Sequence, residues 1–405
     1  MDVQGHCEDR FAGVGAEFER NLGERGELGA SVAVTVGGET VVDLWGGHAD
    51  PDRTRAWEKD TLCVVMSSTK GATALAVHLL ASADELDVDE PVATYWPEFA
   101  AAGKDGVLVR HLLTHQAGLP ALREPVPPGG FYDWDGMVER LAAERPFWEP
   151  GTRHGYHALT FGFLVGEVVR RVTGRSIGRF VADEIAGPLG LDFYIGLPDG
   201  LASRVARLTS PPAPQPGDPV PRFMLQAMTE PGSIPSLVMQ NNGGYLVPGE
   251  WDSPAALAAE LPASGGVANA RALAGLYRAI VHDGQIGRYR LDPEDIARMG
   301  AVQSAAGEDA VLFGPGRWTL GFLKAGYTPR GVEPPVVISL SEDAFGHTGH
   351  GGSIGFADPG CEMSFGYVMN QMSADMGLGR TGQSLVDATY RALGYRRTKY
   401  QSWVR

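Results

Sequence analysis

Ser67 and Lys70 stand three residues apart in Val64-Val65-Met66-Ser67-Ser68-Thr69-Lys70-Gly71, where an apolar run meets a hydroxyl-rich step. With a helix starting near Met66, this spacing predicts both side chains on one face, one turn apart. A serine there sits among unpaired N–H groups at the positive end of the helix. A lysine one turn on takes its proton, provided burial or a second cation depresses the amine. The chemistry of such a pair is acyl transfer through the serine. In isolation the four residues are better read as an N-cap serine before a solvated lysine.

Two later stretches bear on that choice. Gly155-Tyr156-His157-Ala158-Leu159 follows the Pro150-Gly151 turn and precedes a helical segment. A tyrosine on such a loop shares a proton with a nearby serine and lysine, or packs its ring on the helix below. Gly346-His347-Thr348-Gly349-His350-Gly351-Gly352-Ser353-Ile354-Gly355 is polar, Gly-rich and runs into a strand. Its glycines let a substrate lie along the backbone, and its Thr and His side chains supply polar contacts. His347 and His350 lack a third ligand in view, so no metal is expected.

The elements that must position these residues follow from the hydrophobic pattern. Val14–Leu28 reads as a helix, and Ala30–Val36 with Glu39–Leu44 as a hairpin turning at Gly37-Gly38. The chain is thus expected to open helix then hairpin. Lys70–Ala83, Val109–Leu113, Asp135–Glu144, Leu159–Val172 and Ile177–Ile185 read as helices. Pro-rich 196–221 is expected as an ordered loop, with 209–221 a candidate lid. Pro262–Val267 reads as a tight turn and Asn269–Asp283 as a helix with Leu273, Leu276, Tyr277 and Ile280 on one face. Strands are expected after a turn in 311–324, at Val336–Leu340, at Ile354–Ala357 and at Met363–Met369, before a closing helix over Ser384–Leu393. Strands at both ends around a helical middle predict an α+β fold of two lobes, with a pocket between them.

Composition sets the outer bounds. With 405 residues, 43% of them hydrophobic, the chain can bury a large core. Lys+Arg total 34 against 49 Asp+Glu, a formal charge of −15 without a basic run, which argues against nucleic acid or anionic membrane as partners. Cys7, Cys63 and Cys361 form no C-x-x-C pair, so neither a disulfide framework nor a zinc site is expected, and a reducing cytoplasm fits best. The first ten residues lack a signal-peptide pattern, and no apolar run reaches membrane-spanning length.

Ser67-Ser68-Thr69-Lys70, Tyr156-His157-Ala158 and His347-Thr348-Gly349, in this order, resemble the three motifs of the serine β-lactamase and penicillin-binding-protein superfamily. His111-Leu112-Leu113-Thr114-His115-Gln116-Ala117-Gly118-Leu119 and Trp148-Glu149-Pro150-Gly151 resemble lesser landmarks of that superfamily, and the likeness runs from about residue 10 to 395. Within it the chain looks most like class C-related family VIII carboxylesterases and related acyltransferases.

The resemblance implies a β-lactamase-like two-lobe fold in one catalytic domain, 1–405. The α/β lobe would hold about 1–65 and 265–405, and the helical lobe about 66–264. It implies Ser67 as acylated nucleophile, Lys70 as its activator and Tyr156 as the base that returns the proton to the leaving group. The backbone N–H groups of Ser67 and His350 would form the oxyanion hole, with His347, Thr348 and Gly349 along the substrate. No cofactor or metal is implied, and the expected partner is a small-molecule ester, or an acyl donor with its acceptor.

Two positions depart from the β-lactamase pattern. Ala158 replaces an Asn that helps orient the lysine, and His347 replaces a fixed Lys cation. Both are typical of the esterase branch, so the expected activity is a carboxylesterase, with acyl transfer to an alcohol or amine as the alternative. A β-lactamase, a D-amino-acid peptidase and an inactive binding relative rank lower. Trp45, Phe131, Trp134, Trp148, Trp251, Trp318 and Phe345 are candidates to line an apolar substrate pocket.

Overall fold

The computed structural model describes residues 2–213, 220–325, 338–375, 377–399 and 401–405. Eight strands frame the site: β1 (Val3–Cys7), β2 (Gly29–Val36), β3 (Glu39–Gly47), a hairpin of β4 (Ser304–Ala306) with β5 (Gly316–Trp318), and β6 (Phe345–Thr348), β7 (Ile354–Asp358) and β8 (Met363–Met369). The main sheet is antiparallel throughout, in the order β1-β3-β2-β8-β7-β6. Both ends of the chain therefore build one sheet, and β2 pairs with β8 from Ala30↔Met369 to Val36↔Met363.

The helices that matter here are α1 (Ala12–Glu24), α2 (Thr69–Ser82), α3 (Thr160–Thr173), α4 (Ala270–His282) and α5 (Gly379–Ala392). Period-2 alternation sends Ala30, Val32 and Val34 of β2 to one face, with Phe18 and Leu22 of α1 and Leu385 and Val386 of α5. Ala33 points the other way, into the larger core shared with Leu273, Leu276, Tyr277 and Ile280 of α4. The four residues expected on one helix face are all buried there. Gly366 is required by this packing: a Cβ would stand 2.2 Å from the Ala270 carbonyl oxygen. Helix α2 is buried on every side from Thr69 to Leu80, as its Ala- and Leu-rich sequence allows. Truncating one such core Leu to Ala costs about 2–5 kcal/mol.

Several expectations need correction. The chain opens with β1, a polar edge strand whose Gln4, Gly5 and His6 hide the β pattern, ahead of the helix. Ile177–Ile185 is helical as expected and the helix runs on to Leu189, its middle Val181–Ala186 widened into a π-helical segment. Val267–Ala268 is a strand rather than the end of a turn, pairing with both Cys63–Val64 and Phe193–Tyr194. Of the strand expected at 336–340, residues 336 and 337 lie outside the described residues and Ile338–Leu340 is not in a strand. The loop 196–221 is ordered where described: Ala206 N–H bonds the Leu62 carbonyl at 2.7 Å and Thr209 N–H the Asn370 carbonyl at 2.8 Å. Of the candidate lid at 209–221, residues 214–219 lie outside the described residues.

Candidate active site

Cys63–Val64 delivers the chain to a tight turn, Met66–Ser68, from which α2 starts. Met66 takes φ +47°, a left-handed conformation unusual outside glycine, and it reverses the chain just before Ser67. The turn is fixed by Thr69, whose hydroxyl donates to the Met66 carbonyl at 2.5 Å and accepts from Gly266 N–H at 2.9 Å. Ser67 keeps partial exposure while Lys70, one turn on, is fully buried.

Lys70 Nζ lies 3.2 Å from Ser67 Oγ, 2.7 Å from the Ala158 carbonyl oxygen and 2.9 Å from the Ala263 carbonyl oxygen. The two carbonyls only accept, so they consume two N–H groups. In an ammonium the third N–H points at Ser67 Oγ; in a neutral amine the lone pair does. Burial pushes the Lys70 amine well below its usual range, toward the neutral form. The expected loss of lysine orientation at Ala158 is therefore made good by the same residue's backbone.

Tyr156 sits on the loop before α3, its hydroxyl near Ser67 and its ring 4.9 Å from Lys70 Nζ. Burial and the Asp309 charge push its phenol up, against the opposing pull of Ser67, so the protonated form is favoured. The ring stacks on Trp318 at 5.4 Å and His347 at 6.0 Å and meets the edge of His115 at 5.0 Å. Asp309 Oδ1 accepts from Tyr156 N–H at 3.0 Å.

The histidines around this loop are neutral by their bonding. His157 Nε2 accepts from Leu119 N–H at 2.9 Å, so its Nδ1 carries the proton donated to the Gly155 carbonyl at 2.6 Å. His115 Nδ1 accepts from His157 N–H at 3.1 Å. Burial pushes His157 down to about 3 and His115 well below its usual value.

The end of β6 closes the other side. His347 is buried, donates from Nδ1 to the Thr348 carbonyl at 2.7 Å, and has no hydrogen-bond partner for Nε2 among the described residues. Burial, with Lys70 nearby, pushes it down to about 3, so it is an uncharged ring. Gly349 is dictated by contact: a Cβ would lie 2.3 Å from the Val65 carbonyl oxygen and 3.1 Å from Met66 Cβ. The strand end thus abuts the Ser67 turn. Ser353 Oγ donates to the Val65 carbonyl at 2.7 Å and stands 3.0 Å from Ser68 Oγ, which also reaches the His347 carbonyl at 3.3 Å. Among the described residues the His350 N–H bonds no backbone acceptor, while its exposed ring meets Trp251 at 6.2 Å. Ser67 N–H falls in a first helical turn, where N–H groups lack intrahelical acceptors.

The structure therefore gathers Ser67, Lys70, Tyr156 and the 347–350 stretch into one cleft. Of the aromatics, Trp318 and Trp251 stand at it, Trp148 backs it against His157 at 5.8 Å, and Phe131 lines an apolar cavity with Leu159 and Leu237. Trp45 lies on β3 against Gln4, Trp134 bonds Glu167, and Phe345 packs on Phe322, so these three are structural. The Ala263 carbonyl, Asp309, Ser68 and Ser353 were not expected. Ser68 and Ser353 do lie inside the Ser67–Lys70 and Gly346–Gly355 stretches, and His115 inside the His111–Leu119 landmark; the Ala263 carbonyl and Asp309 carry no signal in the sequence.

This topology and cleft define the fold of the serine β-lactamases and penicillin-binding proteins. The Beta-lactamase family model matches residues 15–388, and the chain belongs to that family. It is 36% identical over 381 residues to the Esterase/beta-lactamase LipL of Mycobacterium tuberculosis (strain ATCC 25618 / H37Rv), covering 91% of this chain and 83% of that protein. Among solved structures, a family VIII carboxylesterase is 38% identical with a TM-score of 0.82, covering 97% of this chain and 100% of that one. A penicillin-binding protein homolog from Caulobacter crescentus gives the same identity, TM-score and coverage.

Proposed function

We propose that this chain is a serine hydrolase that cleaves small-molecule carboxylic esters through an acyl-enzyme on Ser67. The observation that carries this reading is the Lys70 amine, buried and clamped by the Ala158 and Ala263 carbonyls 3.2 Å from Ser67 Oγ. The esterase and carboxylesterase relatives support it.

Ser67 Oγ attacks the ester carbonyl while its proton passes to Lys70 and Tyr156, which both reach it and act as one base. The tetrahedral oxyanion forms between the N–H groups of Ser67 and His350. Tyr156 hands a proton to the departing alkoxide, which leaves as the alcohol. Water then enters, yields a proton to the same pair and attacks the acyl carbonyl; collapse releases the acid and restores Ser67. Neutral His347, flanked by Thr348 and Gly349, offers no cation for a substrate carboxylate, which favours uncharged esters over β-lactams. The catalytic unit is the whole chain, 1–405, with an α/β lobe at about 1–65 and 265–405 and a helical lobe at about 66–264. The free thiols Cys7, Cys63 and Cys361 support a reducing, cytoplasmic setting, and no described helix is long and apolar enough to cross a membrane.

The test is incubation with p-nitrophenyl acetate and butyrate, with and without an added alcohol or amine, followed by mass spectrometry of Ser67. Turnover with an acyl adduct on Ser67 is expected. The absence of both adduct and turnover sinks the proposal; turnover that requires the acceptor redirects it to acyl transfer.

A further inference from the structure

The small β4–β5 hairpin stands outside the main sheet order, yet it grips the loop 154–156 at four points. Ser304 Oγ is 2.6 Å from His154 Nδ1, and Ala310 N–H donates to the His154 carbonyl at 3.1 Å. Asp309 Oδ1 takes Tyr156 N–H at 3.0 Å, and Trp318 stacks on the Tyr156 ring with 6° between planes. The same Asp309 oxygen also accepts from Val311 and Leu312 N–H at 2.8 and 2.9 Å. Among the described residues its second oxygen has no hydrogen bond and faces His154 Nε2, which has none either, across 3.8 Å. Asp309 and His154 are each 1% exposed. A buried carboxyl with half its capacity unspent is costly and calls for a reason beyond closing a hairpin.

We propose that Asp309 is the positioning residue for Tyr156: one carboxylate oxygen pins the Tyr156 peptide, and the other, opposite His154, places a negative charge near the phenol. The inference rests on the reading of Ser67, Lys70 and Tyr156 given above. Burial pushes the Asp309 carboxyl up, and the three N–H donors on one oxygen, with His154 opposite the other, pull it back toward the carboxylate. With the His154 Nε2 proton facing that oxygen, Nδ1 accepts from Ser304. Lys70, His115, His347 and Asp309 face Tyr156 from the packed elements, and His154 and His157 flank it. Burial keeps the histidines uncharged near neutrality, so Asp309 and the Lys70–Tyr156 pair are the charges that matter. The Asp309 charge holds the pair's proton more tightly.

The experiment compares the full-length chain with D309N and D309A, using p-nitrophenyl butyrate from pH 5 to 10, labelling of Ser67 by a fluorophosphonate, and thermal melting. D309N keeps the three N–H contacts on its carbonyl oxygen and loses only the charge. Its plateau kcat is expected within about threefold of the parent, with the acid limb of kcat moved down by about half a pH unit or more. D309A is expected to lose about 100-fold in kcat with KM within about threefold. A D309N profile that coincides with the parent's overturns the proposal, whether or not D309A folds. A D309A chain that melts normally and keeps its kcat overturns it too. A parent chain that neither hydrolyses ester nor takes the label removes the underlying reading; a labelled parent with an unmoved D309N profile removes this inference alone.

Discussion

The Ala158 carbonyl oxygen lies 2.7 Å from Lys70 Nζ, the shortest of that amine's three contacts. A side-chain amide is missing at this position, and a peptide group does its work. Because the contact is made by backbone, it survives most substitutions of Ala158 and depends on the path of the loop between Tyr156 and α3. The Ala263 carbonyl completes the clamp from the turn leading into Val267–Ala268.

Removing the reacting groups separates their roles. Ser67→Ala is expected to abolish the acyl adduct, and Lys70→Ala and Tyr156→Phe to lower kcat/KM by about 10³-fold or more. Steady-state kinetics with p-nitrophenyl butyrate checks this. Near-parent rates in Tyr156→Phe rule out its part in proton transfer.

The site histidines are expected to be silent in the neutral pH–rate profile but audible in stability. His157 and His347 are held neutral down to about 3, whereas in the unfolded chain they protonate near about 6.5. Between those values the unfolded state binds more protons, so stability falls as pH drops from about 6.5 toward 3. Melting temperature against pH measures the slope. His157→Gln, which can still accept from Leu119 N–H, is expected to flatten it; an unchanged slope contradicts the assignment.

Glu27 runs the opposite way. Its buried carboxyl, bonded to Tyr367 Oη, is raised by burial to about 7. The folded state therefore holds a proton that the unfolded state releases above about 4.5, and stability falls as pH rises from there through about 7. Glu27→Gln is expected to raise the melting temperature at pH 8 and leave it nearly unchanged at pH 4. Equal effects at both pH values refute this.

Ser68 and Ser353 tie the Ser67 turn to the end of β6. Each single change to Ala is expected to cost about 1 kcal/mol in stability, with a coupling of about 0.5 kcal/mol or more in the double-mutant cycle. Strict additivity in chemical denaturation shows that the two hydroxyls do not act together.

Nitrocefin probes the uncharged ring at His347. Hydrolysis is expected to be slow or undetectable beside ester turnover. Efficient turnover means that another group receives the β-lactam carboxylate.

Much of this arrangement was legible beforehand, and unevenly. Val109–Leu113 and Met363–Met369 match their patterns residue for residue, because periodicity and flanking turns agree there. Ser67, Lys70 and Tyr156 announced themselves through side-chain type and order. The helices at Arg222–Thr229, Ile234–Gln240 and Pro293–Gly300 were missed, being short, Pro-flanked and dependent on tertiary packing. The Ala158 and Ala263 carbonyls carry no residue signature at all, since every residue owns one. Asp309 belongs to no motif, and only the hairpin brings its carboxylate to the Tyr156 N–H.

The pairing of Ala30 with Met369 places the two ends of the chain side by side in the sheet. During synthesis β2 and β3 leave the ribosome early with one hydrogen-bonding edge open, and β8 arrives only after nearly all the rest. Closing so long a loop carries a high entropic barrier, and it comes late. The nascent chain must shelter that edge until then, and a ribosome stalled short of Met363 leaves a product open to edge-to-edge aggregation.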